Sequence, residues 1–227
     1  MSEAATAPLL RINLGCGARW KSTWSNLDGG SRAKRLWLRG LRVVRAVPLI
    51  DRLLPSKFRQ YPKDVIVWDM LRLPLPFATN SASVVFSQYS FEYMRLEPMQ
   101  AVLADCRRIL APGGVIRLCQ VDIAEIVARY AAQGDIGPSP EALDRARRFL
   151  ECLGGEHTKL SVRLLHGGGH QQLFDAPKLE WMLRQAGFTD IRFVAFHEGD
   201  CPDLDVLEAT FEPIPLIRVE ARVPDAT

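Results

Sequence analysis

The most constraining feature of this sequence lies near its amino end, in the stretch LLRINLGCGARWKSTWSNLD from Leu9 to Asp28. An apolar run leads directly into Gly-Cys-Gly, and a second short apolar run ends in Asp28, 11 residues after Gly17. Two short strands joined through a glycine turn predict the start of a sheet. Because a dinucleotide fingerprint places its acid roughly twenty residues further on, this stretch alone leaves open whether the turn binds a cofactor or only joins two strands.

Short apolar runs alternate with helical patterns along the rest of the chain, which is typical of a parallel sheet wrapped by crossover helices. The fold class that we predict is α/β: a Rossmann-like, seven-stranded, mostly parallel sheet with helical insertions after strands 2 and 5. The predicted strands lie at about residues 10–15, 24–28, 65–68, 83–87, 114–120, 190–197 and 216–223.

Helix signals are stronger than strand signals. Apolar residues at helical spacing run from Met99 to Leu110, where APGG is expected to end the helix. Asp175 as an N-cap and Gly187 as a left-handed C-terminal residue bracket a second helix. Asp122 resembles the start of a capping box for a helix to about 132, and a further helix is predicted over 139–153.

The domain organisation that we predict is a single domain over residues 1–227, with a basic helical insertion at 30–62 and a lid or acceptor insertion at 122–175. A chain of 227 residues that is 48% hydrophobic and 24% charged can bury a full core. The start lacks a signal-peptide pattern and no apolar run is long enough to span a bilayer, so we expect a cytoplasmic protein. The five cysteines contain no C-x-x-C pair, which favours reduced thiols and no metal site.

Positive charge is concentrated in one segment. Residues 19–63 hold 12 Lys or Arg against two acids, although the whole chain has a net charge of only +3. Arg32, Arg35, Arg39 and Arg42 lie at helical spacing, with Trp37, Leu41 and Val44 spaced to share the opposite side. Three interpretations stay open: a lid over an anionic acceptor, a helix on an anionic membrane, or a solvated helix that covers the sheet edge. Nucleic acid is not expected, because the charge lacks interleaved aromatic residues.

Polar residues follow the first three predicted strands. Gly15 and Gly17 allow backbone amides to come close to a ligand, since neither has a Cβ atom. Asp28 is suited to accept hydrogen bonds from two ribose hydroxyls. Asp69 in VIVWDM is suited to contact an adenine beside an apolar wall supplied by Trp68 or Met70. Strand ends in a doubly wound sheet meet at one edge, so these residues predict a nucleoside-shaped site.

Several motifs in order carry a family resemblance. INLGCG, the acid of NLD, the acid of VIVWDM, then LPLPFATNSASVVFSQYSFEYM and ADCRRILAPGGVIRL resemble class I S-adenosylmethionine-dependent methyltransferases of the type-11 methyltransferase-domain group. The resemblance covers roughly residues 10–121, and HQQLFDAPKLEWMLRQAGFTDIRFV extends it to about 196.

The resemblance implies a sheet whose last strand is antiparallel and a cofactor, S-adenosylmethionine, bound over the first four strand ends. Gly15 and Gly17 would face its amino-acid end, Asp28 its ribose and Asp69 its adenine. The predicted cofactor-binding set is Asn13, Gly15, Cys16, Gly17, Asp28, Gly29, Asp69, Met70, Ser87 and Gln88. Ser87 and Gln88 would border the methionine moiety.

The chain departs from the family in three places. Ala18 stands where many relatives have a third glycine, and the short gap to Asp28 leaves room for at most one helical turn. Where relatives commonly have Glu-His after strand 4, this chain has Glu92-Tyr93. The identity of a catalytic base is therefore open. His170, in a glycine-rich loop, is the preferred base for a hydroxyl acceptor, and Glu92 and Tyr93 are candidates to orient the acceptor.

The function that we predict is methyl transfer from S-adenosylmethionine to a small-molecule or glycan-type acceptor, with oxygen favoured over nitrogen. The resemblance alone implies a role in secondary-metabolite or polysaccharide biosynthesis. The expected partner is a small or sugar acceptor that can be anionic; a membrane surface is less favoured. Two alternatives stay open: an NAD-dependent oxidoreductase, and an inactive, cofactor-binding partner subunit.

Overall fold

The computed structural model describes residues 8–132, 170–210 and 214–225. Within these ranges seven strands form one sheet in the order β3-β2-β1-β4-β5-β7-β6. The strands are β1 (Leu10–Leu14), β2 (Ser25–Asp28), β3 (Ile66–Val67), β4 (Ala82–Gln88), β5 (Leu110–Val121), β6 (Thr189–Phe193) and β7 (Leu216–Arg222). The predicted fold class is confirmed, and each predicted strand has its counterpart.

Strand direction places the polar loops at one edge. β1 pairs in parallel with β2 and β4, β2 with β3, and β4 with β5, whereas β7 is antiparallel to both β5 and β6. Leu14 lies opposite Leu27 on one side and opposite Ser87 on the other. Because these parallel strands end together, the turns after β1, β2 and β4 meet at one end of the sheet.

The helices in the described ranges are α1 (Arg32–Arg45), α2 (Pro48–Leu53), α3 (Ser56–Arg59), α4 (Leu96–Ile109), α5 (Ile123–Ala132), α6 (Ala176–Gln185) and α7 (Leu204–Leu207), with a 3₁₀ turn at Phe91–Tyr93. Asp175 caps α6 by accepting a hydrogen bond from the Lys178 amide at 2.9 Å, and Gly187 has φ +83° after it, as predicted. Asp122 likewise accepts from the Glu125 amide at 3.2 Å at the start of α5. The helix predicted over 139–153 lies outside the described residues.

β5 is longer than its sequence pattern indicates. The strand begins at Leu110, so APGG belongs to it, where the sequence predicted only the end of a helix. The Gly113 amide donates to the carbonyl of Val223 at 3.0 Å, and Arg222 donates to the Gly113 carbonyl at 2.9 Å. Pairing with the chain after β7 therefore extends the strand, and a long-range contact of this kind leaves no signal in the local sequence.

The two faces of the sheet are covered differently. On one face, α4 and α6 pack apolar residues such as Leu103 and Leu183 against the strands. On the other face, α7 and its flanking segment contribute Cys201, Leu204 and Leu207 to a second cluster with Phe86. Among the described residues, α7 and its flanking segment thus cover the face of the sheet that carries Phe86.

The predicted absence of a first helix is confirmed, because residues 15–24 form turns only. Side-chain amides hold this loop in place. Asn13 donates to the carbonyl of Arg19 at 2.8 Å, and Asn26 donates to the carbonyl of Trp24 at 2.8 Å. The Trp24 indole donates to Asp203 at 2.8 Å, which ties the loop to the start of α7.

A buried ion cluster joins β5, β7 and α7. The guanidinium of Arg117, which is fully buried, lies 2.7 Å from the carboxylate of Glu208 and 2.9 Å from that of Glu220. Arg218 also pairs with Glu208. Removing one partner from such a cluster leaves an uncompensated buried charge, which costs more than an exposed pair could contribute.

Replacing Arg117 with methionine should therefore lower the free energy of unfolding by about 3–5 kcal/mol, measured by urea denaturation at neutral pH. The matched control is Arg184→Met, because Arg184 forms an exposed pair with Glu180 at 2.6 Å and its loss should cost no more than about 0.5 kcal/mol. Equal destabilisation of the two variants would contradict the role assigned to the cluster.

Candidate functional site

A cavity of about 610 Å³ lies at the edge of the sheet where β1, β2 and β4 end. Its size is typical of a site for a small molecule or cofactor. Residues from the turn after β1, from α1, from the loop after β3 and from the end of β4 line it. The lining residues are Asn13, Gly15, Cys16, Gly17, Ala18, Arg19, Asp28, Gly30, Lys34, Tyr61, Asp69, Met70, Leu71, Phe86, Gln88, Tyr89, Ser90, Tyr93, Met94, Gln171 and Leu207.

The two glycines of the turn have different reasons to be glycine. Both have positive φ, +72° for Gly15 and +51° for Gly17. A Cβ on Gly15 would lie 1.9 Å from Oγ of Ser90, so this glycine makes room for the turn after β4. A Cβ on Gly17 would meet no atom within 4 Å, so this position borders open space. Only Gly17 fits the expectation that a missing side chain lets a ligand approach the backbone.

Asp28 is the most fully used side chain of the site. Its carboxylate is buried and accepts hydrogen bonds from the Gly17 amide at 3.1 Å and from the Gly29 amide at 2.7 Å. Nζ of Lys34 lies 2.8 Å from Oδ1 of the same carboxylate. Within the described part of the chain, Oδ2 accepts from the Gly17 amide, and its second lone pair suits a further donor.

Asp69 is also paired with the helix that follows β2. Its Oδ2 accepts from Arg35 at 2.8 Å, and its Oδ1 accepts from the amide of Leu71 at 3.1 Å. Asp28 and Asp69 are thus each bound to a cation of α1, Asp28 to Lys34 and Asp69 to Arg35. The basic helix is therefore part of the site and not only a cover on the edge of the sheet.

Sequence reasoning missed Arg19, Lys34, Tyr61, Gln171 and Leu207 as lining residues. Lys34 had a usable signal, because it lies in the first turn of the predicted basic helix and its amide donates to the N-cap Ser31 at 3.0 Å. Arg19 directly follows the glycine turn, whereas Tyr61, Gln171 and Leu207 come from distant parts of the chain, and their approach to the strand ends depends on packing that a local pattern cannot report.

Three predicted cofactor residues play other parts within the described structure. Gln88 lines the cavity, yet its side-chain amide is held by the backbone of Ala209, donating at 2.6 Å and accepting at 3.1 Å. Ser87 is buried and donates to the carbonyl of Leu14 at 2.9 Å, which ties β4 to β1. Gly29 is outside the lining set, and a Cβ there would lie 2.5 Å from the carbonyl oxygen of Trp68.

Glu92 lies behind the cavity wall, outside the lining set. Its Oε1 accepts from the amide of Val121 at 3.1 Å, and its main-chain carbonyl accepts from Gln171 at 2.6 Å and from Gln172 at 3.1 Å. Its Oε2 is buried without a hydrogen-bond partner among the described residues. Burial raises the pKa of Glu92 to about 7. Through its side chain and its main-chain carbonyl together, Glu92 joins the end of β5 to the segment that carries His170 and Gln171.

Tyr93 and His170 lie together at the rim. Tyr93 lines the cavity, and its ring meets the imidazole of His170 edge-on with centroids 5.1 Å apart. Burial and the neighbouring Glu92 raise the pKa of Tyr93 to about 12, so its hydroxyl stays protonated at neutral pH. The structure thus brings the three predicted catalytic residues into one cluster, in which Tyr93 is the member that faces the cavity.

Cys16 is a buried thiol at the cavity wall. Burial, with a smaller contribution from the nearby Asp28 carboxylate, raises the pKa of Cys16 well above its usual value. The side chain is therefore a neutral thiol at physiological pH. A neutral thiol is a poor nucleophile, because the thiolate is the nucleophilic form. It also packs with Leu38 of α1, so it acts as a filler of the turn.

Residues 29–118 match the family model described as "Methyltransferase domain". A comparison with curated proteins gives no match. Among solved structures, a protein of Bordetella parapertussis described as a possible exported protein is 14% identical, with a TM-score of 0.49; the match covers 95% of this chain and 63% of that chain.

Two further structures are similarly distant. A Thermotoga maritima S-adenosylmethionine-dependent methyltransferase, described as a possible histamine N-methyltransferase, is 13% identical with a TM-score of 0.44, and the match covers 96% of this chain and 83% of that chain. Human N-acetylserotonin methyltransferase, solved with S-adenosylmethionine, is 13% identical with a TM-score of 0.45. The match covers 95% of this chain and 47% of that chain. The chain thus spans less than two thirds of the first and third of these structures.

The family match overlaps much of the cavity. The matched residues run from the end of β2 into β5 and include α1, Asp69 and β4, which together form much of the cavity. Residues 29–118 therefore resemble the methyltransferase domain of S-adenosylmethionine-dependent enzymes, and S-adenosylmethionine is the cofactor of that class. The resemblance seen in the sequence is confirmed.

The raised pKa of Glu92 predicts a specific pH dependence of stability. In the unfolded chain this carboxyl ionises near pH 4.5, whereas in the folded chain it keeps its proton up to about pH 7. Stability from the buried neutral acid is therefore complete below pH 4.5 and is lost as the pH rises to 7. Relative to Glu92→Gln, wild type should lose up to about 3 kcal/mol of unfolding free energy across this window, measured by urea denaturation.

Glu97→Gln is the control, because Glu97 is an exposed glutamate at the start of α4 and its loss should not alter the pH profile. Parallel pH profiles for wild type and Glu92→Gln would show that Glu92 is ionised in the folded chain.

Proposed function

We propose that this chain transfers a methyl group from S-adenosylmethionine to a hydroxyl of a small-molecule or glycan-type acceptor. The observation that carries the proposal is the arrangement at the strand ends. Gly17 and Asp28 meet at 3.1 Å on the wall of a cavity, with no helix between β1 and β2. This loop presents backbone and carboxylate to a nucleoside, without a helix N-terminus for a phosphate.

The residues of the cavity fit the cofactor. The free lone pair on Oδ2 of Asp28 suits a ribose hydroxyl, and Asp69 with Met70 and Leu71 offers a polar edge beside an apolar wall for the adenine. Arg19 follows the glycine turn, is exposed and lines the cavity, so its guanidinium suits the carboxylate at the amino-acid end.

When bound, S-adenosylmethionine supplies an electrophilic methyl group on a sulfonium. The task of the chain is then to hold the acceptor in line with that methyl group and to exclude water. Tyr93 is the proposed orienting residue, because it faces the cavity and its hydroxyl stays protonated to a pKa of about 12. Glu92 is a positioning residue that anchors the rim through the amides of Val121 and Gln171.

A hydroxyl acceptor has to lose a proton during the transfer, and His170 is the proposed base. Its imidazole packs against Tyr93, which places it beside the cavity wall. The insertion at 122–175 that we propose to cover the acceptor lies mostly outside the described residues. A cytoplasmic location and a role in secondary-metabolite or polysaccharide biosynthesis are part of the same proposal; cysteine usage supports the former and family resemblance the latter.

The loop after β1 also argues against NAD as the cofactor. Dinucleotide sites place the pyrophosphate at the N-terminus of a helix that directly follows the glycine turn. In this chain the helix that follows is α1, which begins at Arg32 after β2. Its Lys34 and Arg35 are bound to Asp28 and Asp69.

Calorimetric titration tests the cofactor and the role of Asp28 together. Wild type should bind S-adenosylhomocysteine in preference to NAD. Asp28→Asn should weaken that binding by about 1–3 kcal/mol, or roughly 5- to 150-fold, because the ribose hydroxyls lose a charged acceptor.

The control is Asp64→Asn, which changes the net charge equally at an exposed position outside the cavity lining and should bind as wild type does. Thermal unfolding without ligand checks that both variants are folded. Preferential binding of NAD by wild type would refute the proposed function, and unchanged affinity in folded Asp28→Asn would remove Asp28 from the site.

His170→Ala should lower the rate of methyl transfer about 10²- to 10⁴-fold while the affinity for S-adenosylhomocysteine stays unchanged, because a general base acts on the acceptor and not on the cofactor. The measurement uses a library of hydroxylated acceptors with labelled S-adenosylmethionine. His197→Ala is the control, since His197 is exposed and stacks on Phe196 away from the cavity lining. A near-normal rate in His170→Ala would dismiss the base, and binding without transfer by wild type would favour an inactive partner subunit.

A further inference from the structure

The helix α1 has two opposite faces. At 100° per residue, Lys34, Leu38 and Arg45 point to one side, whereas Arg32, Leu36, Arg39 and Val43 point to the other. Leu38 and Arg45 are the residues of this helix that are buried. Trp37, Leu41 and Val44, which the sequence spacing places together on one side, are not the buried residues of the helix, and Val44 is exposed.

Contacts on the inner face fix the orientation of the helix. Lys34 reaches Asp28 at 2.8 Å, and Nε of Arg45 lies 2.7 Å from Asp51 in α2. Lys63 also reaches Asp51 at 2.6 Å. These ion pairs hold α1 against the strand ends and hold α2 against α1, so the outer face cannot turn inward without breaking them.

The outer face is apolar as well as basic. Leu36 and Val43 are 68% and 71% exposed on α1, and Leu49 and Leu53 are 69% and 76% exposed on α2. We call these four residues, with Arg32 and Arg39, the outer surface. Four large aliphatic side chains are thus exposed within residues 36–53, and exposed apolar side chains grouped among polar neighbours are typical of an interaction site.

The charge of this segment is one-sided. Between residues 32 and 59 the sequence has nine Lys or Arg and a single acid, Asp51. Asp51 is engaged by Arg45 and Lys63, and Lys34 and Arg35 are engaged by the acids of the cavity. The exposed cations that remain are Arg32, Arg39, Arg42, Arg52, Lys57 and Arg59. The outer surface is therefore positive, with no exposed carboxylate in this segment to balance it.

We propose that the outer surface binds an anionic membrane surface. Along α1 the outer face alternates Arg32, Leu36, Arg39 and Val43, so each aliphatic side chain has a cation one turn away. Aliphatic side chains enter the acyl boundary of a bilayer while neighbouring cations meet lipid phosphates. In the described part of the chain no helix is long and apolar enough to cross a bilayer, so this contact is peripheral.

The same features argue against other occupants. A second copy would bring two positive surfaces together, and its cations would repel. Nucleic acid would match the charge but would leave Leu36, Val43, Leu49 and Leu53 without an apolar partner. Residues 133–169 contain five basic and five acidic residues, so they have no net charge that would complement this surface.

The test is sedimentation of the full chain with vesicles of phosphatidylcholine mixed with phosphatidylserine, compared with vesicles of phosphatidylcholine alone. The protein should sediment with the mixed vesicles and not with the neutral ones. Arg32→Gln/Arg39→Gln should weaken binding about 25-fold, since each cation near an anionic surface contributes about a fivefold factor. Leu36→Gln/Val43→Gln should also weaken binding at least tenfold, while glutamine preserves the helix.

Matched controls separate this surface from general charge and hydrophobicity. Arg129→Gln/Arg184→Gln removes the same net charge from α5 and α6, and Val127→Gln/Trp181→Gln removes exposed apolar side chains from the same two helices. Both control variants should bind the mixed vesicles as wild type does. Binding of S-adenosylhomocysteine by every variant verifies that each one is folded.

Four outcomes would overturn the proposal. The first three are equal binding of wild type to neutral vesicles, no binding of wild type to either vesicle, and equal weakening of vesicle binding by the control variants. The fourth is vesicle binding that is weakened by the arginine pair alone and competed by duplex DNA, which would indicate nucleic acid. Size-exclusion chromatography adds a fifth, because a dimer abolished by Leu36→Gln/Val43→Gln would assign the surface to self-association. None of these depends on methyl transfer, so failure of this proposal leaves the proposed function intact.

Discussion

The carboxylate of Asp28 is the point on which the site depends. It accepts from the amide of Gly17 at 3.1 Å, from the amide of Gly29 at 2.7 Å, and pairs with Lys34 at 2.8 Å. One buried side chain thus joins the turn after β1, the end of β2 and the start of α1. The turn needs this support because it has no helix behind it. Its other contacts include the backbone of β2, the side-chain amides of Asn13 and Asn26, and the bond from the Trp24 indole to Asp203.

The sheet was predictable from the sequence because its signals are local. Short apolar runs bounded by turn residues gave all seven strands, and caps such as Asp175 and Gly187 fixed the ends of α6 to within a residue. What the sequence could not give were pairings between distant segments. The early start of β5 depends on pairing with Ala82 of β4 and with Val223 after β7. The cover on the second face depends on α7, whose 4 residues have no helical periodicity to detect.

The site was predictable as a list of strand-end residues but not as a set of roles. Motif reasoning treated Gly15 as a point of ligand approach, whereas the structure shows that it makes room for Ser90 at the end of β4. Likewise, Ser87 donates a hydrogen bond to the backbone of β1, and Gln88 donates one to the backbone of Ala209. Each of these roles is set by a neighbour in space, and sequence spacing carries no information on which neighbour that is.

Two cations of the basic segment neutralise acids of the cavity. Lys34 and Arg35 neutralise Asp28 and Asp69, so the end of the cavity that these two acids line has almost no net charge. A pyrophosphate would find no helix N-terminus there, and both nearest cations of α1 are already paired. A sulfonium nucleoside has no phosphate to compensate, and the exposed guanidinium of Arg19 can meet its one carboxylate. The 11 residues from Gly17 to Asp28 therefore argue against a dinucleotide and not against cofactors in general.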